Sequence, residues 1–128
     1  MYELTLADRV WNRACIGSER ASMPGDSALE TMLGFHSGAM NGGLLHSIEC
    51  WSPEDMDAVK DGYRYFGLGA ISELISAAQA SLQQGTNEEI LAEMLDLKYA
   101  AKIPDDETLI RAFEAHYKSS PESYSPVA

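Results

Sequence analysis

"WSPEDMDAVKDGYRYFGLGAISELISAAQASLQQGT", residues 51–86, contains two helices with their ends written in. Ser52 has the short side-chain oxygen that suits an N-cap. Pro53 fits the first helical turn, where a missing N–H costs nothing, and Glu54 and Asp55 suit the positive end of the helix dipole. Met56, Val59, Tyr63 and Phe66 follow at i, i+3, i+7 and i+10, a single apolar stripe. Gly67 and Gly69 punctuate, and the spacing predicts a core helix over 68–84 through Leu68, Ile71, Ile75, Ala78 and Leu82. Gly85 stands just beyond it, where a left-handed residue closes a helix.

The same period runs outward in both directions. Residues 4–15 read as a first helix with Leu6, Val10 and Ala14 inward. "IGSERASMPGDS" is a loop by composition, and Asp26 or Ser27 is expected to cap a second helix to about residue 40, carrying Leu29, Met32, Leu33 and Phe35. Thr86 and Glu89 have the spacing of a capping box and open a helix with Ile90, Met94 and Leu97 on its inner face. Pro104 breaks the chain, and Asp105 or Asp106 starts a last helix to about Tyr117. Alternating strand patterns are nearly absent. The expectation is an all-α, single-domain compact bundle of about six to seven helices over residues 1–118. "SSPESYSPVA", 119–128, is read as a flexible C-terminal tail.

Between the second helix and Ser52 lies "AMNGGLLHSIECW", residues 39–51. Asn41 is expected to stop one helix in the left-handed region. Gly42 and Gly43 permit a tight reversal, and Leu44, Leu45 and Ile48 pack inward.

The chain has 128 residues, with 20 acids against 9 bases and a net charge of −11. That field repels phosphates, so direct nucleic-acid binding is disfavoured and basic protein surfaces are the natural partners. The same charge also serves merely to keep a protein in solution. Cys15 and Cys50 are too few for a disulfide scaffold and form no C-x-x-C pair; they are expected as buried free thiols in a reducing compartment. No charged leader precedes an apolar run, and no apolar stretch reaches the ~20 residues of a membrane span. A cytoplasmic protein without membrane contact is expected.

Candidate chemistry is sparse. His46 and Glu49 share a helix face at i, i+3, and His36 lies ten residues earlier, but zinc needs three or four converging ligands. A small metal-dependent hydrolase built on His36, His46 and Glu49 is the least favoured reading. Cys50 and His46, four apart, can touch, yet a thiol nucleophile needs surroundings that favour the thiolate, and Glu49 beside it is a like charge. No G-x-G-x-x-G or Walker pattern follows a strand, so no cofactor and no enzymatic role are expected.

The acids are organised. Glu54, Asp57 and Asp61 fall at i, i+3 and i+7 opposite the Met56 stripe, and Glu89, Glu93 and Asp96 fall at i, i+4 and i+7 on a later helix. From Glu49 to Glu107, 13 acids against four bases leave −9, so the charge is concentrated in this segment. Such rows stand either for a line of DNA phosphates or for a solvated face, and spacing does not choose between them.

"NGGLLHSIECW", an acidic helix after it, and "GYRYFGLGAISELISAAQASL" together resemble the bacterial DNA-mimic-protein family, whose domain was long catalogued as one of unknown function. The matching positions are Asn41, Gly42 and Gly43, then Phe66 and Gly67, then Leu74 to Leu82. "LDLKYAAKIPDDETLIRAFEAHY" is similar to the family's C-terminal helix pair, and the resemblance covers about residues 28–118. Leu44, Leu45 and His46 stand where the family places aromatic residues and a glutamine, so a pocket built there would be altered. The resemblance implies an acidic all-α homodimer that occupies the DNA-binding face of a regulator. It also admits an immunity or inhibitor protein for a toxin, anchored by Trp51, Tyr63 or Tyr65. The residues expected to meet a basic partner are Glu54, Asp57, Asp61, Glu89, Glu93 and Asp96, as phosphate surrogates.

Overall fold

Most of the helices begin where a side chain accepts one of the free N–H groups or a proline removes one. The computed structural model describes residues 4–17 and 23–127 and holds, among them, seven α-helices and no strand. Residues 18–22 of the expected loop lie outside. Helix α1 (Leu6–Ile16) opens with a reciprocal capping box between Thr5 and Asp8, at 3.0 and 2.9 Å. Helix α4 (Pro53–Tyr65) starts on Ser52, whose hydroxyl accepts from the Asp55 N–H as the sequence indicates.

Two helices end in the same closing motif. After α4, the Leu68 N–H reaches back to the Tyr63 carbonyl at 2.8 Å and the Gly67 N–H to Arg64, with Gly67 at φ 76°. After α5 (Gly69–Gln83), the Thr86 and Gly85 N–H groups bond the carbonyls of Ser81 and Leu82, with Gly85 at φ 77°. Both are Schellman closures, which require a left-handed residue at the place each glycine occupies.

Helix α2 (Pro24–Gly42) runs through the middle of the molecule, with α1, α3 (Leu44–Cys50) and α4 packed on it. Its Leu29, Met32 and Phe35 are fully buried. Helix α5 packs on α4, and α6 (Glu88–Lys102) closes over α3 and α5. Val59, Tyr63, Ile71, Ile75, Leu91 and Leu95 complete this part of the core. Gly62 lets α4 approach α2 closely: a Cβ there would stand 3.0 Å from the Ala28 carbonyl oxygen.

The break that ends α2 sits two residues later than expected. Asn41 and Gly42 remain helical, and no non-glycine residue among those described has positive φ. The break is made by Gly43 alone, at φ 92° and ψ 160°, a region essentially closed to residues with a Cβ. Leu44, Leu45 and Ile48 are buried as expected, and Ser47 donates to the Phe35 carbonyl at 2.9 Å, holding α3 against α2.

Other expectations are corrected. Helix α2 is not capped by Asp26 or Ser27; it starts after Met23, and the Asp26 carboxylate accepts the Met23 N–H at 3.3 Å from the first turn. Helix α6 is capped by Asn87, accepting from the Ile90 N–H, rather than by Thr86. Leu6, expected inward, is exposed, while Val10 one turn later on the same face is buried as expected.

The C-terminal segment is docked, not a loose tail. Helix α7 (Asp106–Ser119) is followed by a 3-10 turn at Pro121–Ser123 and then Tyr124, which is buried. Tyr124 stacks edge-on against Phe113, and its hydroxyl meets His116 Nδ1 at 2.7 Å. Asp26, almost wholly buried, accepts from Arg13 Nη2 at 2.8 Å and from the Ser125 N–H at 2.7 Å. Arg13 in turn donates to the carbonyls of Ser125 and Pro126. Composition suggested fraying because the Pro and Ser residues are visible in sequence, whereas the buried carboxylate that receives this segment is 99 positions away.

Candidate functional site

The acid rows come out differently on the two helices. On α4, Glu54, Asp57 and Asp61 are all exposed, opposite the buried stripe. Asp57 lies 3.5 Å from Lys60 Nζ and Asp61 lies 3.0 Å from Arg64 Nη1, so two of the three carboxylates already have a cation at i+3. Glu54 has none among the described residues.

On α6, Glu89 and Glu93 are exposed and, among the described residues, have no cationic side chain within salt-bridge range. Asp96 has a different occupation: its Oδ1 accepts the Leu44 N–H at 2.9 Å, just beyond the Gly43 break. The carboxylate thus serves the otherwise unpaired amide at the start of α3. Of the six residues expected to meet a partner, Glu54, Glu89 and Glu93 are uncompensated, Asp57 and Asp61 are half-neutralised, and Asp96 is engaged within the fold.

The apolar side of α6 reverses the expectation. Leu91, Leu95 and Tyr99 face the core, at 1–2% exposure. Ile90, Met94 and Leu97, expected inward, are exposed at 66%, 40% and 75%. Both rows have helical spacing, and tertiary packing selected the one offset by a single residue. The outcome is a helix with a second apolar row, about 100° around from the core row, flanked by Glu89 and Glu93.

The histidines do not assemble. His36 is buried; its Nδ1 meets the Tyr99 hydroxyl at 2.7 Å and its Nε2 meets Asp106 Oδ1 at 2.8 Å. Tyr99 continues to the Tyr63 hydroxyl at 2.7 Å, giving a four-residue chain from the surface at Asp106 into the core. Burial pushes the Tyr99 phenol up to about 12, and burial also raises Tyr63. Neither His36 nitrogen is open, so no lone pair is free for proton abstraction. His46 lies on α3, with Nε2 3.5 Å from Cys50 Sγ. Among the described residues no three His, Cys, Asp or Glu are grouped to hold a metal ion, and His36, His46 and Glu49 do not converge.

Both cysteines are exposed free thiols, which corrects their expected burial. Cys15 lines a cavity of about 610 Å³ between α1, α2 and the start of α7, together with Trp11, Leu33, His36, Met40 and Asp106. Partial desolvation by the cavity wall, then the charge of Asp106, raise the Cys15 pKa. The aromatic anchors are also redistributed. Tyr63 is inaccessible, and Trp51 is half-buried against Phe35 at 6.5 Å between ring centroids. Tyr65 stacks on His116 at 4.4 Å.

Compared with protein-family models, with curated proteins and with solved structures, the chain matches none. The resemblance to the DNA-mimic family therefore rests on the residues quoted for it above. Among the described residues, no helix is long and apolar enough to cross a membrane.

Proposed function

We propose that the protein is an acidic, non-enzymatic interaction module that binds a basic surface on a partner protein through the outer faces of α4 and α6. In its sharpest form this is DNA mimicry, with carboxylates meeting side chains that otherwise hold phosphates. The observation that carries the reading is the set Glu54, Glu89 and Glu93, exposed and lacking a cationic neighbour in a chain of net charge −11. Uncompensated carboxylates in such a field steer cationic partners and raise their association rate.

A second reading, an immunity or inhibitor protein for a toxin, is favoured by the open apolar row on α6. An apolar row contributes shape-specific burial that is insensitive to salt, whereas a pure phosphate mimic needs none.

The test is a partner recovered from the source cell and titrated against the purified protein at increasing salt. From about 0.01 M to about 0.1 M the Debye length falls from ~30 to ~10 Å. Affinity should fall steeply over that span, and the triple change Glu54→Gln, Glu89→Gln and Glu93→Gln should flatten the dependence. An affinity indifferent to salt would remove the electrostatic reading and leave the inhibitor reading in place. Competition by duplex DNA for the same partner separates mimicry from other acidic binding.

A further inference from the structure

We infer that the outer face of α6 is built to receive a helix from another protein, one with an aliphatic row and Lys or Arg along the edge that meets Glu89 and Glu93. The inference rests on the reading of the chain as an acidic interaction module and specifies which face is used and what lies on it.

The outer row is Ile90, Met94, Leu97 and Ala101, all exposed, at successive spacings of four, three and four. That is the alternation of a coiled-coil seam, which keeps a row facing one partner helix. At 1.5 Å per residue the row is about 16 Å long, some three turns, enough for a helix to lie along it. Nothing in the fold demands it. The core side of α6 is already filled by Leu91, Leu95 and Tyr99, so polar residues would serve equally at positions 90, 94 and 97. Leu97, at 75% exposure, and Ile90, at 66%, leave most of their apolar surface in water.

Charge selects the occupant. Glu89 and Glu93, four apart, border one edge of the row, while Lys98 stands at the other. A second copy of this chain is the obvious alternative. A two-fold antiparallel pairing of α6 with itself, however, brings each edge against the same edge of its mate. In that pairing the acidic edges face one another, and a parallel two-fold pairing sets Glu93 against Lys98 of the mate but leaves Glu89 without a cation, in both cases between chains that each carry −11. A foreign helix is free of that symmetry and can set cations along the Glu89–Glu93 edge only.

The test uses two labelled synthetic helices three heptads long, both with Leu at the seam positions, one flanked by Lys and the other by Glu. Fluorescence anisotropy is measured with the full chain. The wild type should bind the Lys peptide and bind the Glu peptide at least about tenfold more weakly. Ile90→Ser with Leu97→Ser should weaken the Lys peptide about tenfold or more while far-UV circular dichroism and the urea midpoint stay unchanged, since both side chains are exposed. Ala80→Ser with Gln84→Ser, exposed changes on α5 and its end, should leave binding as it was. If the Lys peptide binds the Ile90/Leu97 variant as tightly as wild type but loses affinity on Glu89→Gln with Glu93→Gln, the helix-receiving face is wrong and the acidic-module reading stands. If the wild type sediments as a dimer that the Ile90/Leu97 change dissociates, the face belongs to a second copy and the inference is overturned. Equal affinity for the two peptides overturns it as well.

Discussion

Replacing Tyr99 by Phe removes one oxygen from the centre of the molecule and should cost more than any other single-atom change in the core. That oxygen lies 2.7 Å from His36 Nδ1 and 2.7 Å from the Tyr63 hydroxyl, and all three residues are buried. The tautomer that lets Asp106 accept from Nε2 at 2.8 Å leaves Nδ1 as an acceptor. The direction of the chain follows: Tyr63 donates to Tyr99, Tyr99 donates to His36, and His36 donates to Asp106. Phe at 99 leaves the Tyr63 hydrogen without an acceptor and His36 Nδ1 without a donor. A buried polar group left unpaired costs about 1–3 kcal/mol, so two of them place Tyr99→Phe at about 2–6 kcal/mol. Tyr63→Phe is the control. It deletes the end of the chain, leaves the Tyr99–His36 bond intact, and should cost only about 1 kcal/mol, a typical net hydrogen bond. Urea unfolding followed by circular dichroism reads both. With m near about 2 kcal/mol/M, Tyr99→Phe should lower the midpoint by about 1–3 M and Tyr63→Phe by about 0.5 M. A Tyr99 variant no less stable than the Tyr63 variant would show that the hydroxyls do not form this directed chain.

Three further outcomes are expected. Because burial raises Tyr63 and holds Tyr99 near 12, the unfolded chain releases those protons first as pH rises; stability should hold up to about pH 10 and fall between about 10 and 12. A urea midpoint that climbs across that interval would contradict the burial of the two phenols. Asp26→Ala leaves the Arg13 guanidinium without its carboxylate and the Ser125 N–H without its acceptor, and should cost about 3–5 kcal/mol in thermal or urea unfolding, far more than alanine at exposed Glu54. Gly43→Ala forces a Cβ into a backbone region open to glycine and to 3.3 Å from both Asp96 oxygens; a loss of about 1–3 kcal/mol is expected, and a stability equal to wild type would mean that the α2–α3 break is not at residue 43.

What was legible in the sequence was local. Ser52 with Pro53, the Gly67 and Gly85 closures, and the Met56–Val59–Tyr63–Phe66 stripe involve neighbours within one or two helical turns, and the physics that places them acts over the same range. The phase of α6 was not legible. Ile90, Met94 and Leu97 and the adjacent Leu91, Leu95 and Tyr99 are both apolar rows, and only the surfaces of α3 and α5 distinguish them. Asp96 fits a charged row by spacing, yet its partner is an amide 52 residues earlier. The His36 network spans 63 and 70 residues, and no pattern in "GFHSG" announces it. The acid rows were half legible. Exposure on both helices follows from amphipathic spacing, whereas the pairing of Asp57 with Lys60 and the diversion of Asp96 depend on which rotamers and which helix ends meet.

The buried carboxylate of Asp26 also bears on the order in which the molecule assembles. It joins the end of α1, the start of α2 and the backbone at Ser125, so its last bond closes a loop of 99 residues. During synthesis that bond cannot form until Ser125 has emerged from the ribosome. Loop closure over such a distance is expected late, after the helices around α2 have packed. Contacts made after the transition state govern escape from the native state rather than arrival at it. Asp26 and Arg13 therefore act as a latch on lifetime: weakening them should leave the refolding rate nearly unchanged and accelerate unfolding.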